Sequence, residues 1–354
     1  MKILFCFTYN KSFLANFFFE LATIMVEEGN EVIVFSLKGI KTEKNIGDIK
    51  VIIAKQAGHF SNYKNLFKVI KEEKPDMVIS NFNYVYPALL MGRLAGVKNN
   101  IAWFHTESAQ TRPGFFNFIL KKNVIKLANK VIVNSFILKD DLVNNFLVPE
   151  SKIVTVPFYT TISNINFTAE GLEKIDSAKF KIGCPGRLVE GKNHTLLIDS
   201  LFSLKKKYGS GFVLYIAGSG EREESLKAYV SAKKMENEII FLGNLEIDEL
   251  PAFYKKMDLT VLPSLHEAFG FVFIEAISLG TPVLVSDRFG ALQFLKNKEA
   301  DSFFEFNPTD ENELTKKIEK YFNGKKVPSD YFMNLYNSNF SKEKTYQSFK
   351  QVFQ

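Results

Sequence analysis

The chain alternates short, nearly continuous apolar runs with longer stretches in which apolar residues recur every three or four positions. In the first half the runs are ILFCFT, EVIVFS, VIIA, DMVIS, NIAWF, KVIVN and KIVTV, and helical patterns lie at 12–28, 61–73, 84–95, 113–128 and 136–146. Strands that are apolar on both faces belong to a parallel sheet covered by helices on either side. After a polar stretch without clear periodicity, a second series follows: FKIGC, 193–207, FVLYIA, 221–234, IIFLG, 246–256, LTVLP, 271–279, PVLVS and 310–322. The pattern predicts an α/β chain of two facing Rossmann-like domains, each a doubly wound parallel sheet, over 1–160 and 179–340 with a linker at 161–178. Aromatic spacing in the lysine-rich tail beyond 323 predicts a closing helix.

Composition narrows this picture without changing it. A length of 354 residues suits two domains. With 46% hydrophobic and 24% charged residues, the chain reads as an ordinary globular protein and not as a disordered or fibrous one. The longest apolar stretch, Phe13 to Val26, contains Asn16 and Glu20 and is too short to span about 30 Å of hydrocarbon. The start, MKILFCFTYNK, reads as a first strand and not as a secretory signal. Cys6 and Cys184 fall inside buried strands and the four histidines have no ligand spacing, so a reducing cytoplasm and no structural metal are expected. Of the net charge of +6, residues 1–178 carry +5, so the first half suits an acidic partner. No aromatic-basic motif for nucleic acid stands out, and none is expected to bind.

Ligands of open parallel sheets bind outside the carboxyl ends of the strands. After FKIGC, Arg187 and Lys192 stand at the entry to a helix, where a forked guanidinium, a compact ammonium and helix-terminal amides suit a diphosphate; two solvated surface cations are the plain alternative. After LTVLP, Glu267 lies in a loop and Glu275 about one turn into the next helix, with Gly270 allowing close backbone approach. Carboxylates bridge neighbouring hydroxyls, so this pair suits a sugar and a ribose, and the apolar context of Glu275 makes an unpartnered carboxylate costly. Gly218 begins a G-x-G turn that lacks the third glycine of a dinucleotide fingerprint. His105 closes the strand NIAWF at the carboxyl edge of the first domain.

Together, GRLVEGKNH and LPSLHEAFGFVFIEAISLGTPVLVS resemble the nucleotide-sugar-binding core of the retaining glycosyltransferase family 4, which has the GT-B fold and an E-x7-E signature, here Glu267 to Glu275. The likeness is densest over 180–295. It implies that Arg187 and Lys192 hold the donor diphosphate and that Glu275 binds ribose hydroxyls. Glu267 and the amides of Phe269, Gly270 and Phe271 would hold the donor sugar, with His105 reaching it from across the cleft. The expected catalytic set is therefore Glu267, His105, Arg187 and Lys192. The donor-binding set adds Gly218, Asn244, Leu245, Phe269, Gly270, Phe271 and Glu275. The resemblance also implies that a helix near 341–354 crosses back onto the first domain. Two departures stand out: Tyr9-Asn10-Lys11-Ser12 replaces a glycine-rich first loop, and Phe289-Gly290 with Gln293 replaces a paired glycine and a glutamate.

The implied function is sugar transfer, with retention, from a nucleoside diphosphate sugar, UDP-linked by preference, to a glycan or lipid-linked acceptor in surface polysaccharide or glycolipid synthesis. No Asp-x-Asp pair is present, so no metal cofactor is expected. Residues 113–130 combine aromatics with Lys121, Lys122, Lys126 and Lys130. They suit peripheral contact with an anionic membrane at the inner face of the plasma membrane, or else a core helix whose lysines point to water. The rivals are a non-catalytic GT-B subunit that binds nucleotide sugar or a partner protein, and another two-Rossmann enzyme such as an NAD-dependent dehydrogenase or an epimerase.

Overall fold

A computed structural model describes residues 1–10, 12–38, 40–107, 114–165, 172, 175, 179–295 and 303–354. Lys11 of the first loop, Pro113 at the start of the expected basic helix and most of the 161–178 linker lie outside the described residues. The chain divides into two compact units, Met1–Pro157 with Glu343–Gln354, and Phe158–Lys342.

The first unit is built on strands β1 (Lys2–Cys6), β2 (Glu31–Ser36), β3 (Thr42–Ile46), β4 (Ile49–Ile53), β5 (Met77–Asn81), β6 (Asn99–Phe104), β7 (Lys130–Val133) and β8 (Ile153–Thr155). Their order across the sheet is β3-β4-β2-β1-β5-β6-β7-β8, parallel except for the β3–β4 hairpin. Helices α1 (Phe13–Glu27), α2 (His59–Glu73), α3 (Val85–Ala95), α4 (Phe115–Val124) and α5 (Phe136–Asn144) supply the crossovers. Helix α1 starts where Ser12 turns its hydroxyl back to accept from the Ala15 amide. It then buries Phe17, Phe18, Leu21, Ala22 and Met25. Phe18 packs edge-on to Phe5 of β1 and to Trp103 of β6.

Strand β3 is absent from the apolar pattern because its sequence, TEKNI, is polar. As the outermost strand it is exposed along almost all its length and needs no apolar face, and its Glu43 and Lys44 suit an edge that must not pair with another chain.

The second unit carries β9 (Phe180–Pro185), β10 (Phe212–Ala217), β11 (Ile239–Gly243), β12 (Leu259–Leu262), β13 (Val283–Ser286) and β14 (Glu305–Phe306), all parallel, in the order β11-β10-β9-β12-β13-β14. The chain winds outward from β9 in one direction and from β12 in the other, so the order reverses between these two strands. Helices α6 (His194–Tyr208), α7 (Glu223–Ala232), α8 (Leu250–Lys256), α9 (Phe271–Ser278), α10 (Glu311–Phe322) and α11 (Ser329–Phe340) complete the unit. The closing segment is two helices and not one: Ser341 is extended, and α12 (Lys342–Lys350) follows it. Helix α12 packs within the first unit, where Phe349 stacks on Trp103 and Tyr346 donates to Glu28, which also pairs with Lys350.

Candidate active site

The carboxyl-end loops of the second sheet are laced together by their own backbone. The loop after β9 bonds to the loop after β10 through Gly186 N to Ala217 O, Leu188 N to Ser219 O and Arg222 N to Leu188 O. Leu265 N, after β12, donates to Gly191 O, and Glu267 N and Gly290 N cross-link the loops after β12 and β13. This fit requires glycine at Gly218, whose φ is +142° and where a Cβ would lie 2.0 Å from Gly186 O. The G-x-G element is thus a tight inter-loop contact, and its backbone approach explains the motif without a dinucleotide.

At the reversal between β9 and β12, Lys192 and Glu267 form an ion pair. Both are half-buried, so neither charge is fully screened by water. Arg187 is exposed in the same loop as Lys192. Asn193 adopts a left-handed conformation at φ 54° and donates its amide to Pro308 O, which turns the chain into α6. No side chain caps the first amides of α6 or of α9. Gly270 opens α9 at φ +103°, packed so closely that a Cβ would stand 2.2 Å from the Phe289 ring. Phe269 is buried and Phe271 half-buried, and both rings meet Phe158. Asn244 and Leu245 follow β11, exposed and half-buried respectively, next to Gly243, whose carbonyl accepts from Gly218 N.

Glu275 lies one turn into α9 and is 6% exposed. Tyr254 of α8 donates to its carboxylate at 2.7 Å. Burial pushes the carboxyl pKa up to about 7, and the Tyr254 hydrogen bond acts in the opposite sense. The sequence pattern alone does not single out Tyr254. The only signal was its place in the DELPAFYKKMDLTVLPS segment, where it reads as one more aromatic core residue. His194, at the start of α6, is held down to about 4 by burial and by the neighbouring Lys192 and Arg222.

His105 belongs to the first unit, just past β6. Its Nδ1 lies 2.6 Å from the Asn134 side-chain oxygen and its Nε2 2.9 Å from the Asn81 side-chain oxygen. The Asn134 oxygen also accepts from the indole of Trp103 at 3.0 Å, and its amide donates to Val156 O. Indole is a donor only, so the acceptor atom is fixed and Nδ1 of His105 must carry a proton. Burial pushes the imidazole pKa down to about 3, opposed by the Asn134 bond. Phe82 and Trp103 stack on the ring.

Of the residues expected from the sequence, Arg187, Lys192, Gly218, Asn244, Leu245, Glu267, Phe269, Gly270, Phe271 and Glu275 all follow carboxyl ends of the second sheet. His105 occupies the same kind of position in the first. Among the described residues, no group of three or more His, Cys, Asp or Glu side chains could hold a metal ion.

Residues 14–158 match the family described as Glycosyltransferase Family 4, and residues 170–337 the family described as Glycosyl transferases group 1. The chain belongs to the GT-B-fold glycosyltransferases. An uncharacterised glycosyltransferase of Methanocaldococcus jannaschii is 31% identical over 48% of this glycosyltransferase chain and 45% of its own. The capsular polysaccharide biosynthesis glycosyltransferase CapM of Staphylococcus aureus is 28% identical over 75% and 72%. The chain spans about half the length of the first curated relatives that it matches, 45% and 58%. Its fold is that of Anabaena HepE, solved in complex with UDP, with a TM-score of 0.79 at 16% identity over 100% of this chain and 99% of that one.

Proposed function

We propose that this glycosyltransferase transfers a sugar from a nucleoside diphosphate sugar, with retention of anomeric configuration, to a glycan or lipid-linked acceptor in surface polysaccharide or glycolipid synthesis in the cytoplasm. The observation that carries the reading is the convergence of Lys192, Glu267, Glu275 and two uncapped helix N-termini at the reversal point of one parallel sheet. UDP in the HepE complex and the capsular role in the CapM name support a uridine donor and a glycan product.

Departure of the diphosphate develops negative charge on its oxygens. Lys192, held by Glu267, and the first amides of α6 and α9 are fixed in advance and, with Arg187, stabilise that charge as it forms. In the absence of donor Lys192 neutralises Glu267. An incoming phosphate competes for the ammonium and leaves the Glu267 carboxylate to accept hydroxyls of the donor sugar. Glu275, held by Tyr254, accepts the ribose hydroxyls. These cations and amides take the part a divalent ion plays where an Asp-x-Asp pair is present.

The test is thermal stabilisation of the purified protein by UDP, GDP, ADP and CMP and their sugars, with and without chelator, because a bound ligand raises apparent stability by mass action. One base is expected to give a shift that is insensitive to chelator and lost in Glu275→Ala. No shift with any nucleotide would remove the donor site. A shift without turnover on any acceptor would favour the non-catalytic reading.

A further inference from the structure

The two glutamates of the site have partners of different kinds. Glu267 meets the Lys192 ammonium, which neutralises it, whereas Glu275 accepts from the Tyr254 phenol, a neutral donor that leaves the carboxylate charge in place. Tyr254 is itself fixed. It is fully buried on α8, with its ring edge-on to Phe253. The Thr281 hydroxyl, just before β13, donates to its backbone carbonyl at 3.0 Å, which ties α8 to the strand that follows α9. Its phenol oxygen lies 2.7 Å from Glu275 Oε2 and 3.4 Å from Val272 O, nearly one turn earlier on α9. The phenol thus takes one of the roughly four lone-pair positions of the carboxylate and sets the direction of the others.

We infer that Tyr254 is a specificity-determining positioning residue: it holds the Glu275 carboxylate in one orientation that accepts two neighbouring hydroxyls, and so makes the site select ribonucleoside over 2′-deoxyribonucleoside diphosphates. The inference rests on the reading of Glu275 as the ribose contact. A buried acceptor that loses its matching hydroxyl stays unpaired, so the analogue is rejected by more than the net worth of one hydrogen bond. A carboxylate that is free to turn follows the single hydroxyl left to it, and an anchored one does not. The phenol also favours the ionised acceptor. Burial raises the Glu275 carboxyl to about 7, and the Tyr254 hydrogen bond opposes that rise. The Tyr254 phenol is raised well above its ordinary value and the neighbouring Cys184 thiol of β9 is pushed up to about 12, so both keep their protons. Of the elements packed on α9, strands β12 and β13 and the turn Ile162–Asn164 carry no charged residue. Lys255 and Lys256 of α8 and Asp330 of α11 are exposed, and the Tyr336 hydroxyl of α11 is engaged with Thr160. Glu275 is therefore the group that titrates here near neutral pH.

The test is titration calorimetry of the full chain with UDP, GDP and ADP and with dUDP, dGDP and dADP, for wild type, Tyr254→Phe and Glu275→Gln. For the base that binds, the wild type is expected to favour the ribonucleotide about twentyfold or more at pH 8, and Tyr254→Phe to lower that ratio to about threefold by weakening the ribonucleotide. The ribonucleotide deficit of Tyr254→Phe, taken against wild type at the same pH, should shrink from about tenfold at pH 7 to about threefold at pH 9, where the unanchored carboxyl also ionises. A loss of structure alone would be the same at both. Because Tyr254→Phe strands a buried charge, its folding is checked by thermal unfolding, and the same change is also made in the Glu275→Gln background, where no such charge remains. There it should alter nucleotide affinity no further. An unchanged ribose-to-deoxyribose ratio in Tyr254→Phe, with binding that still falls in Glu275→Gln, would overturn this inference and leave the ribose contact standing. Further weakening by Tyr254→Phe in the Glu275→Gln background would overturn it too. A wild type that binds no nucleotide would overturn both readings.

Discussion

Lys192 and Glu267 are 75 positions apart and pair across the point where strand order reverses in the second sheet. Each is the chemical partner that the other would lack in the empty site. Lys192→Ala is expected to lower kcat by about a hundredfold or more with a smaller change in KM, since the lysine acts most strongly as charge develops on the leaving diphosphate. Steady-state kinetics check this, and an unchanged kcat would remove Lys192 from the reaction.

Glu275 carries a pH dependence of definite sign. Its carboxyl holds a proton up to about pH 7 in the folded chain, above the ordinary 4.5. The folded state therefore binds more protons between those values. The group's contribution to stability is fully present below about pH 4.5 and is lost as pH rises through about 7, a change on the order of 3 kcal/mol. Glu275→Gln removes it, so the variant should gain stability relative to wild type between pH 5 and pH 8 in urea unfolding. His194 and His105, held near 4 and 3 in the folded chain, take up protons near the ordinary 6.5 once unfolded and so favour folding as pH rises to about 6.5, but they do so equally in wild type and variant, and the difference between the two isolates Glu275.

Nucleotide affinity should run in the opposite direction. An ionised Glu275 accepts two ribose hydroxyls better than a protonated one, so binding of UDP should strengthen as pH rises through about 7. Titration calorimetry should find this slope in the wild type and a flat profile in Glu275→Gln. The same slope in both would place the titrating group elsewhere.

Gly270→Ala tests the loop between the two glutamates. At φ +103° the new Cβ would lie 2.2 Å from the buried ring of Phe289, so the loop or the ring must shift. A loss of about 2–5 kcal/mol in unfolding free energy is expected, along with weakened donor binding. Gly191→Ala meets nothing within 4 Å and serves as the control, with a change within about 0.5 kcal/mol.

The chain contains one tryptophan, and Trp103 shares an acceptor with His105. Asn134→Leu would strand the indole N–H and the imidazole together. It should cost about 1–3 kcal/mol for each buried donor left unpaired and shift the emission of that single fluorophore. An unchanged emission maximum and unchanged stability would show that another group takes over the acceptor role.

Much of this is legible in the sequence. The buried strands announce themselves because both faces are covered and every position is apolar, as in FVLYIA of β10. The glutamates and basic residues stand out because they sit where such strands end. Strand β3 was illegible because an edge strand in water has no apolar face to display. The break at Ser341 is set by a backbone conformation that leaves no trace in hydropathy. Tyr254 escaped because a phenol that donates to a buried carboxylate looks, in sequence, like any other core aromatic. The direction in which Phe116 and Leu120 face stays open in the sequence: periodicity fixes which residues share a face, and only packing decides which way that face points.

Helix α12 has a consequence for the order of events at the ribosome. The first unit emerges first, yet Phe349, which covers Trp103, and Tyr346 with Lys350, which hold Glu28, are made after the whole of the second unit. At ordinary elongation rates the unfinished first unit waits roughly ten to forty seconds with that part of its surface bare. The second unit, continuous in sequence, has no such delay. A fragment ending at Lys342 should therefore show a protease-resistant second unit beside a first unit that is still open to cleavage.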